Sequence, residues 1–361
     1  MRQNDKIAMV LSGLPVGGAE KVAVDLAIGL SEYKNKTVKI FVLSGRSQNQ
    51  FTELLEQHNI ECCFLGDEDQ SVIGMTVRFF KALKRFDPYA VHAHMDRRVS
   101  WVWALLHNRK ILFTIHSQPK RILDTKTRFL YKLLKKRDLI KLVAVSDTIL
   151  KETVQELDMK DINIVSVYNP VRIPKHLVSK DIKEEQKVQF VNVARFVELK
   201  NHRLLLSAFS DLVKENYNAH LTLAGDGPLL EEMKRFAEEL NISENLTFAG
   251  NVRDIGKLLE KSDVFVLSST TEAFPVSIVE AMSYSLPVIA TDVGGVSDVV
   301  HENGILVASQ NKEQLTDAMK RMIENVSFRK KCAECSFRDV QRFSVEKIVD
   351  RYSEVYDEWF G

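Results

Sequence analysis

Four apolar residues in a row, Val264-Phe265-Val266-Leu267, break off at four hydroxyl side chains, Ser268-Ser269-Thr270-Thr271, and a helical spacing begins shortly afterwards. A run this short and uniformly apolar reads as a strand covered on both faces, which means a parallel sheet with helices on each side. Such a strand delivers the chain to a helix N-terminus, and Pro275 suits the first helical turn because it has no N–H to leave unpaired. The free amides and dipole of that terminus attract an anion, and the hydroxyls of Ser269, Thr270 and Ser277 are further donors beside it. Glu272 precedes the helix and Glu280 lies inside it. Ionised carboxylates repel a phosphate unless they point at something else, and the hydroxyls of a sugar or a ribose are the fitting donors. The pattern suggests a nucleotide-sugar site, with phosphates over the helix start and a carboxylate on each sugar.

The same alternation runs through the whole chain. Strands are expected over 6–11, 37–43, 61–65, a stretch ending at His94, 110–115 and 141–145, and again over 189–193, 220–224, 245–248 and 264–267, with helices between them. Strands in order with helical crossovers predict an α/β protein of doubly wound parallel sheets, whose ligands sit beyond the carboxyl ends of the strands. At such ends stand Gly17-Gly18-Ala19-Glu20, His94, His116, Ser146, and Arg195 with Lys200. Glycines between a strand and a helix let backbone amides approach a ligand, but no G-x-G-x-x-G occurs, so Gly17 and Gly18 do not form a dinucleotide fingerprint. Arg195 offers a bidentate fork and Lys200 a point charge, the usual equipment for a diphosphate.

A chain of 361 residues has room for two domains. The expected division is a doubly wound domain over 1–170, a linker over 171–187 containing Pro174 and a polar run, a second such domain over 188–344, and a terminal helix over 345–361. Charge divides unevenly: residues 1–180 hold 29 Lys and Arg against 19 Asp and Glu, and the remainder holds 21 against 30. The most basic segment runs from Lys120 to Lys141, where Ile122, Leu123, Phe129, Leu130, Leu133 and Leu134 interleave with the cations. A basic amphipathic helix of this kind can lie on an anionic membrane, and equally can be a solvated helix packed on the sheet. No apolar run approaches the length of a membrane span and no signal-peptide core follows Lys6, so the expected location is the cytoplasm. Cys62, Cys63, Cys332 and Cys335 do not form a disulfide framework, and a zinc site would need the two pairs to meet across the chain.

The Glu272-x7-Glu280 pair, followed by Ala281-Met282, Pro287-Val288-Ile289-Ala290-Thr291 and Gly294-Gly295, resembles the donor-binding core of retaining glycosyltransferases of the GT-B type, the group 1 or family 4 set. Arg195-x4-Lys200, Gly17-Gly18-Ala19-Glu20 and Thr114-Ile115-His116 are similar to other motifs of that family. The resemblance implies two Rossmann-like domains facing across a cleft, with the acceptor on the N-terminal half, the nucleotide sugar on the C-terminal half, and the last helix crossing back. It implies catalytic roles for Arg195 and Lys200 on the diphosphate, Glu272 on the donor sugar, and His116 facing that sugar. Donor binding is implied for Gly17, Gly18, the backbone near Val252 against the base, Phe274, Pro275, Val276, Ser277 and, on the ribose, Glu280.

The family's front-face mechanism retains the anomeric configuration and lets the leaving phosphate take the acceptor proton. No cofactor and no metal are expected, in keeping with the lack of an Asp-x-Asp motif. The implied donor is a UDP-sugar carrying a hexosyl or N-acetylhexosaminyl group. The implied acceptor is a glycan or a polyprenyl-linked glycan in cell-surface polysaccharide synthesis, with no nucleic acid partner and possible contact of the basic segment with the inner face of the plasma membrane. The chain departs from the family at Ala273 and Pro275, where glycine is common, and Pro275 lacks an N–H. Two other readings are a sugar-nucleotide epimerase of the same architecture and a non-catalytic partner subunit.

Overall fold

Strands buried on both faces need a layer of helix on each side, and the central strands of both sheets, among them β1 (Lys6–Leu11), Ile111–Ile115 and Val264–Leu267, are buried in that way. The computed structural model describes residues 5–46, 48–66, 71–96, 98–122, 124–157, 163–174 and 187–361. The chain divides into two compact units, Met1–Arg172 with Phe343–Gly361, and Ile173–Arg342. Most of the polar run expected as a linker, at 175–186, lies outside the described residues.

The first unit carries seven parallel strands: β1 (Lys6–Leu11), β2 (Thr37–Val42), β3 (Glu61–Phe64), β4 (Ala90–His94), β5 (Ile111–Ile115), β6 (Ile140–Ala144) and β7 (Ile164–Ser166). Their order is β3-β2-β1-β4-β5-β6-β7, so the winding reverses between β1 and β4, where Met9 stands opposite His92. The second unit carries six parallel strands: β8 (Val188–Val193), β9 (Ala219–Ala224), β10 (Leu246–Gly250), β11 (Val264–Leu267), β12 (Val288–Thr291) and β13 (Gly304–Val307). Their order is β10-β9-β8-β11-β12-β13, with the reversal between β8 and β11. The edge strands β7 and β13 are largely half-buried.

The basic segment is not a single helix. Asp124 accepts the amide of Thr127 at 2.7 Å and so starts the helix Thr125–Lys136, separate from the short helix Pro119–Ile122. Asp138, at φ 54°, turns the chain out of that helix, and Lys141 falls in β6, with its ammonium 3.4 Å from Glu358. Leu123 lies outside the described residues.

The terminal helix Val345–Phe360 packs against the helix Gly18–Lys34 and contributes Val349, Tyr352, Val355, Tyr356 and Trp359 to the core of the first unit. Gly29 permits the contact: a Cβ there would stand 2.5 Å from Val345 Cγ1 and 2.7 Å from Val349 Cγ2. Polar groups on the same helix are matched to the sheet. Trp359 Nε1 donates to the carbonyl of Ile111 at 3.0 Å, and Tyr89 donates its hydroxyl to the carbonyl of Tyr356 at 3.1 Å. His92 is fully buried, with Nδ1 2.7 Å from the Tyr356 hydroxyl and Nε2 2.7 Å from Thr114 Oγ1.

Two outcomes follow for this unit, which contains all three tryptophans, so fluorescence reports its unfolding alone. Gly29→Val should destabilise it by roughly 1–3 kcal/mol through overpacking against Val345 and Val349; an unchanged denaturation midpoint would refute the close approach. Burial, followed by the neighbouring His116 charge, pushes the His92 imidazole down to about 3. The unfolded chain therefore binds a proton as pH falls through the ordinary histidine range and the folded chain does not, so stability is lost between pH 7 and 5, by about 2 kcal/mol for this one group. His92→Gln should lose correspondingly less over that interval, as read from urea denaturation at the two pH values, and an equal loss would show that His92 is not buried neutral.

Candidate functional site

The loops at the carboxyl ends of β8 and β11 are tied to each other by the hydroxyls that follow β11. Ser268 Oγ lies 3.0 Å from the carbonyls of both Lys200 and Asn201 and shares its one proton between them. The Thr270 amide donates to the carbonyl of Leu199 at 2.8 Å, and its hydroxyl reaches the same oxygen at 3.3 Å. Ser269 Oγ donates to Glu272 Oε1 at 2.6 Å. These hydroxyls serve the protein itself, which corrects the expectation that Ser269 and Thr270 stand free as donors for a phosphate. The reason is burial: Ser268 and Ser269 are wholly covered, and covered hydroxyls and carbonyls must pair with each other.

The stitching brings Lys200 and Glu272 together. Lys200 ends a 3-10 turn, Glu198–Lys200, closed by Asn201 in the left-handed region at φ 47°, and its Nζ lies 2.5 Å from Glu272 Oε1. Glu272 is 9% exposed and Lys200 26%, so the lysine is the more open partner of the pair. Glu272 Oε2 makes no hydrogen bond among the described residues. Its backbone is fixed from behind: the Gly295 amide donates to the carbonyl of Glu272 at 3.0 Å, and Gly294, at φ 52°, passes so close that a Cβ would stand 1.8 Å from that oxygen. Only glycine fits there. Arg195 follows β8, is exposed, and makes no ion pair among the described residues.

The helix after Glu272 is short, Val276–Met282, and starts differently from the sequence expectation. Pro275 sits just before the helix, at φ −82° and ψ 80°, and the amide of Val276 turns back to the carbonyl of Phe274 at 3.0 Å. Proline has no amide and that of Val276 is taken, so this helix start offers fewer anion donors than a regular first turn. Phe274 and Pro275 are buried, while Val276, Ser277 and Glu280 are half-buried. Val252 is half-buried in the irregular stretch after β10, beyond Gly250 at φ 64°.

In the first unit, Gly17 precedes the helix Gly18–Lys34 and Gly18 opens it. Gly17 has an extended backbone that any residue adopts, and the Glu20 carboxylate folds back to within 2.5 Å of where its Cβ would stand. Burial raises the Glu20 carboxyl above its ordinary range. The space beside Gly18 is open for at least 4 Å. His116 follows β5, half-buried, with Nε2 2.9 Å from Nδ1 of His94 at the end of β4. Burial pushes His116 down to about 4 and His94 well below the histidine range.

Gly17, His116, Arg195, Lys200 and Glu272 thus follow the carboxyl ends of strands, Glu280 lies in the helix after β11, and Lys200 and Glu272 are in direct contact. The links from His92 and Thr114 to Tyr356 and Tyr352 were not foreseen. His-x-His at the end of an apolar strand, and Tyr352 and Tyr356 four apart on a helix, were the available signals. Among the described residues, no group of three His, Cys, Asp or Glu side chains is placed to hold a metal ion, and the four cysteines are free. No helix among them is long and apolar enough to cross a membrane.

Residues 175–338 match the family described as glycosyl transferases group 1, and residues 16–173 match Glycosyltransferase Family 4. An uncharacterized glycosyltransferase of Haemophilus influenzae is 27% identical over 206 residues, covering 56% of this chain and 57% of its own, so the chain spans little more than half of that relative. The UDP-Gal:alpha-D-GlcNAc-diphosphoundecaprenol alpha-1,3-galactosyltransferase of Escherichia coli is 27% identical over 172 residues, 46% of this chain and 44% of that one. Among solved structures, Anabaena HepE in complex with UDP and glucose shares the fold with a TM-score of 0.84 at 19% identity, over 98% of this chain and 100% of that one. With two family matches that together span nearly the whole chain and two doubly wound units of the matching fold, the chain belongs to the group 1 glycosyltransferases of the GT-B type.

Proposed function

We propose that this protein is a retaining glycosyltransferase that moves a hexosyl or N-acetylhexosaminyl group from a UDP-sugar to a glycan or polyprenyl-linked acceptor without a metal ion, in cell-surface polysaccharide or glycoconjugate synthesis. The observation that carries the reading is the Lys200–Glu272 contact beside an unpaired Arg195. A lysine ammonium has three N–H donors; one is held by Glu272 Oε1, which leaves the others oriented for the oxygens of a diphosphate. Arg195 supplies a bidentate fork to the same group. The C1–O bond to the diphosphate breaks and the bond from C1 to the acceptor oxygen forms on the same face, with the acceptor proton passing to the leaving phosphate. Charge develops on the diphosphate, so two preorganised cations lower the barrier electrostatically. Glu272 Oε2 accepts from a hydroxyl of the transferred sugar, Glu280 from the ribose, and Phe274, Val276, Ser277 and Val252 line the donor, while Gly17, Gly18 and His116 serve the sugar and acceptor. The donor and lipid-linked acceptor named for the Escherichia coli relative, and the UDP and glucose of HepE, support this choice of substrates.

The membrane part of the reading has its own support. On the helix Thr125–Lys136, Phe129 is 65% exposed among Lys126, Lys132 and Lys136, and on the adjacent helix Val99–His107, Leu106 is 69% exposed. Apolar residues ringed by lysines suit an anionic bilayer surface, where a polyprenyl-linked acceptor resides.

Arg195→Ala is the cleanest test of the chemistry, because an exposed and unpaired residue can be removed without harm to the fold. It should leave the melting temperature unchanged and lower turnover of a UDP-sugar by about a hundredfold in the presence of EDTA. Glu280→Gln should also lose most transfer activity, together with the stabilisation that UDP confers in a thermal-shift assay. Wild-type turnover in Arg195→Ala, or transfer that stops in EDTA, would overturn the assignment. For the surface, flotation with vesicles containing phosphatidylglycerol should capture the wild type and not Phe129→Asp; a wild-type protein left at the bottom of the gradient would remove the membrane from the proposal.

A further inference from the structure

His94 is fully buried at the end of β4, and its two ring nitrogens differ in situation. Nδ1 lies 2.9 Å from Nε2 of His116, whereas Nε2 has no hydrogen-bond partner. The ring centroids are 5.2 Å apart with planes 28° apart, the arrangement left by an end-on N–H···N bond and not by face-to-face stacking. The neighbouring hydroxyls are committed elsewhere: those of Tyr356 and Thr114 hold the two nitrogens of His92, and Thr114 also meets the Tyr352 hydroxyl at 3.4 Å.

Each neutral imidazole carries one proton, so the contact allows two arrangements. If His116 Nε2–H donates, the proton of His94 must sit on its own Nε2, a buried N–H with no acceptor. If His94 Nδ1–H donates, His94 Nε2 is a bare acceptor, and the proton of His116 sits on Nδ1. Orphaned buried N–H groups are rarer than undersatisfied acceptors, so the second arrangement is favoured. Nδ1 is also the only ring nitrogen of His116 that the protein leaves open to a ligand, since it makes no hydrogen bond among the described residues.

We propose that His94 is a positioning residue that fixes His116 as the tautomer with its proton on Nδ1, so that His116 meets an oxygen of the transferred sugar as an uncharged hydrogen-bond donor and not as a base. The inference rests on the placement of His116 at the sugar given above. It agrees with a reaction in which the leaving phosphate takes the acceptor proton. A histidine that acts as a base is normally backed by a carboxylate that stabilises its cation. Here the group behind His116 is the imidazole of His94, whose other ring nitrogen has no hydrogen-bond partner, and the nearby hydroxyls of Thr114, Tyr352 and Tyr356 are bonded to His92 and to one another. Burial acts in the same direction, since it holds both rings below the physiological range.

The test uses the full chain labelled with 15N-histidine and two variants. His94→Asn keeps an amide N–H near the place of Nδ1, and His94→Phe keeps a flat ring without the donor. In the wild type, long-range 15N–1H spectra should show His116 protonated on Nδ1 and bare on Nε2. His94→Phe should lose that single tautomer and lower kcat by about tenfold, the loss of one neutral hydrogen bond, with little change in acceptor KM. His94→Asn should restore most of both. Protonation of His116 at Nε2 in the wild type overturns the proposal without any substrate, even if a variant fails to fold, and so does an Asn variant no better than Phe. The expected tautomer combined with full activity of His116→Phe would instead overturn the placement of His116 at the sugar, and with it the catalytic half of the proposal.

Discussion

Parallel pairing with right-handed crossovers forces each sheet to reverse its winding once, between β1 and β4 in one unit and between β8 and β11 in the other. On either side of such a seam the connecting loops run to opposite faces, so the carboxyl ends of the two central strands are left uncovered. Most of the groups proposed for the reaction follow strands at or next to those seams, while Glu280 lies in the helix after β11. Gly17 follows β1, His94 ends β4 and His116 follows its neighbour β5. Arg195 and Lys200 follow β8, and Glu272 follows β11.

Burial then decides which of these groups serve a ligand and which serve the fold. A hydroxyl or carbonyl taken out of water must find a partner, and after β11 those partners are nearby loop atoms. Ser268, Ser269 and Thr270 therefore join the loops and hold Glu272, while the groups that retain access to solvent are Lys200, Arg195 and the second oxygen of Glu272. In the first unit the same constraint produces the line of imidazoles and hydroxyls from Tyr356 through His92 to Thr114, with the His94–His116 pair beside it. That line ties the last helix of the chain to the strand ends that carry His94 and His116. The close contact at Gly29 seats that helix, through Val345 and Val349, and is thus part of what positions those strand ends.

Most strands were legible because they are rich in apolar residues that a doubly covered sheet can bury, and β11 falls at the expected residues, Val264–Leu267. β7, β12 and β13 were not among the expected strands: β7 is only three residues long, and Pro287 before β12 and Gly304 at the start of β13 are residue types depleted in strands. The segment 120–141 reads as one basic helix by composition, yet two aspartates with ordinary local roles, Asp124 as a cap and Asp138 in a turn, divide it. Pro275 was recognisable as a helix-start residue, but its position just outside the helix and the backward turn of the Val276 amide to the Phe274 carbonyl were not.

Residue type and spacing along the chain determined the fold class, the strand ends on which the chemistry had to stand, and the cations and carboxylates suited to a nucleotide sugar. Those properties are local, since they follow from what four to ten consecutive residues can bury and which charges they carry. Only the tertiary structure decided the partners: Lys200 with Glu272 across 72 positions, His94 with His116 across 22, and His92 with Tyr356 across 264. Hydrogen-bond partners are chosen by proximity after the layers have packed, and no periodicity along the chain records that distance.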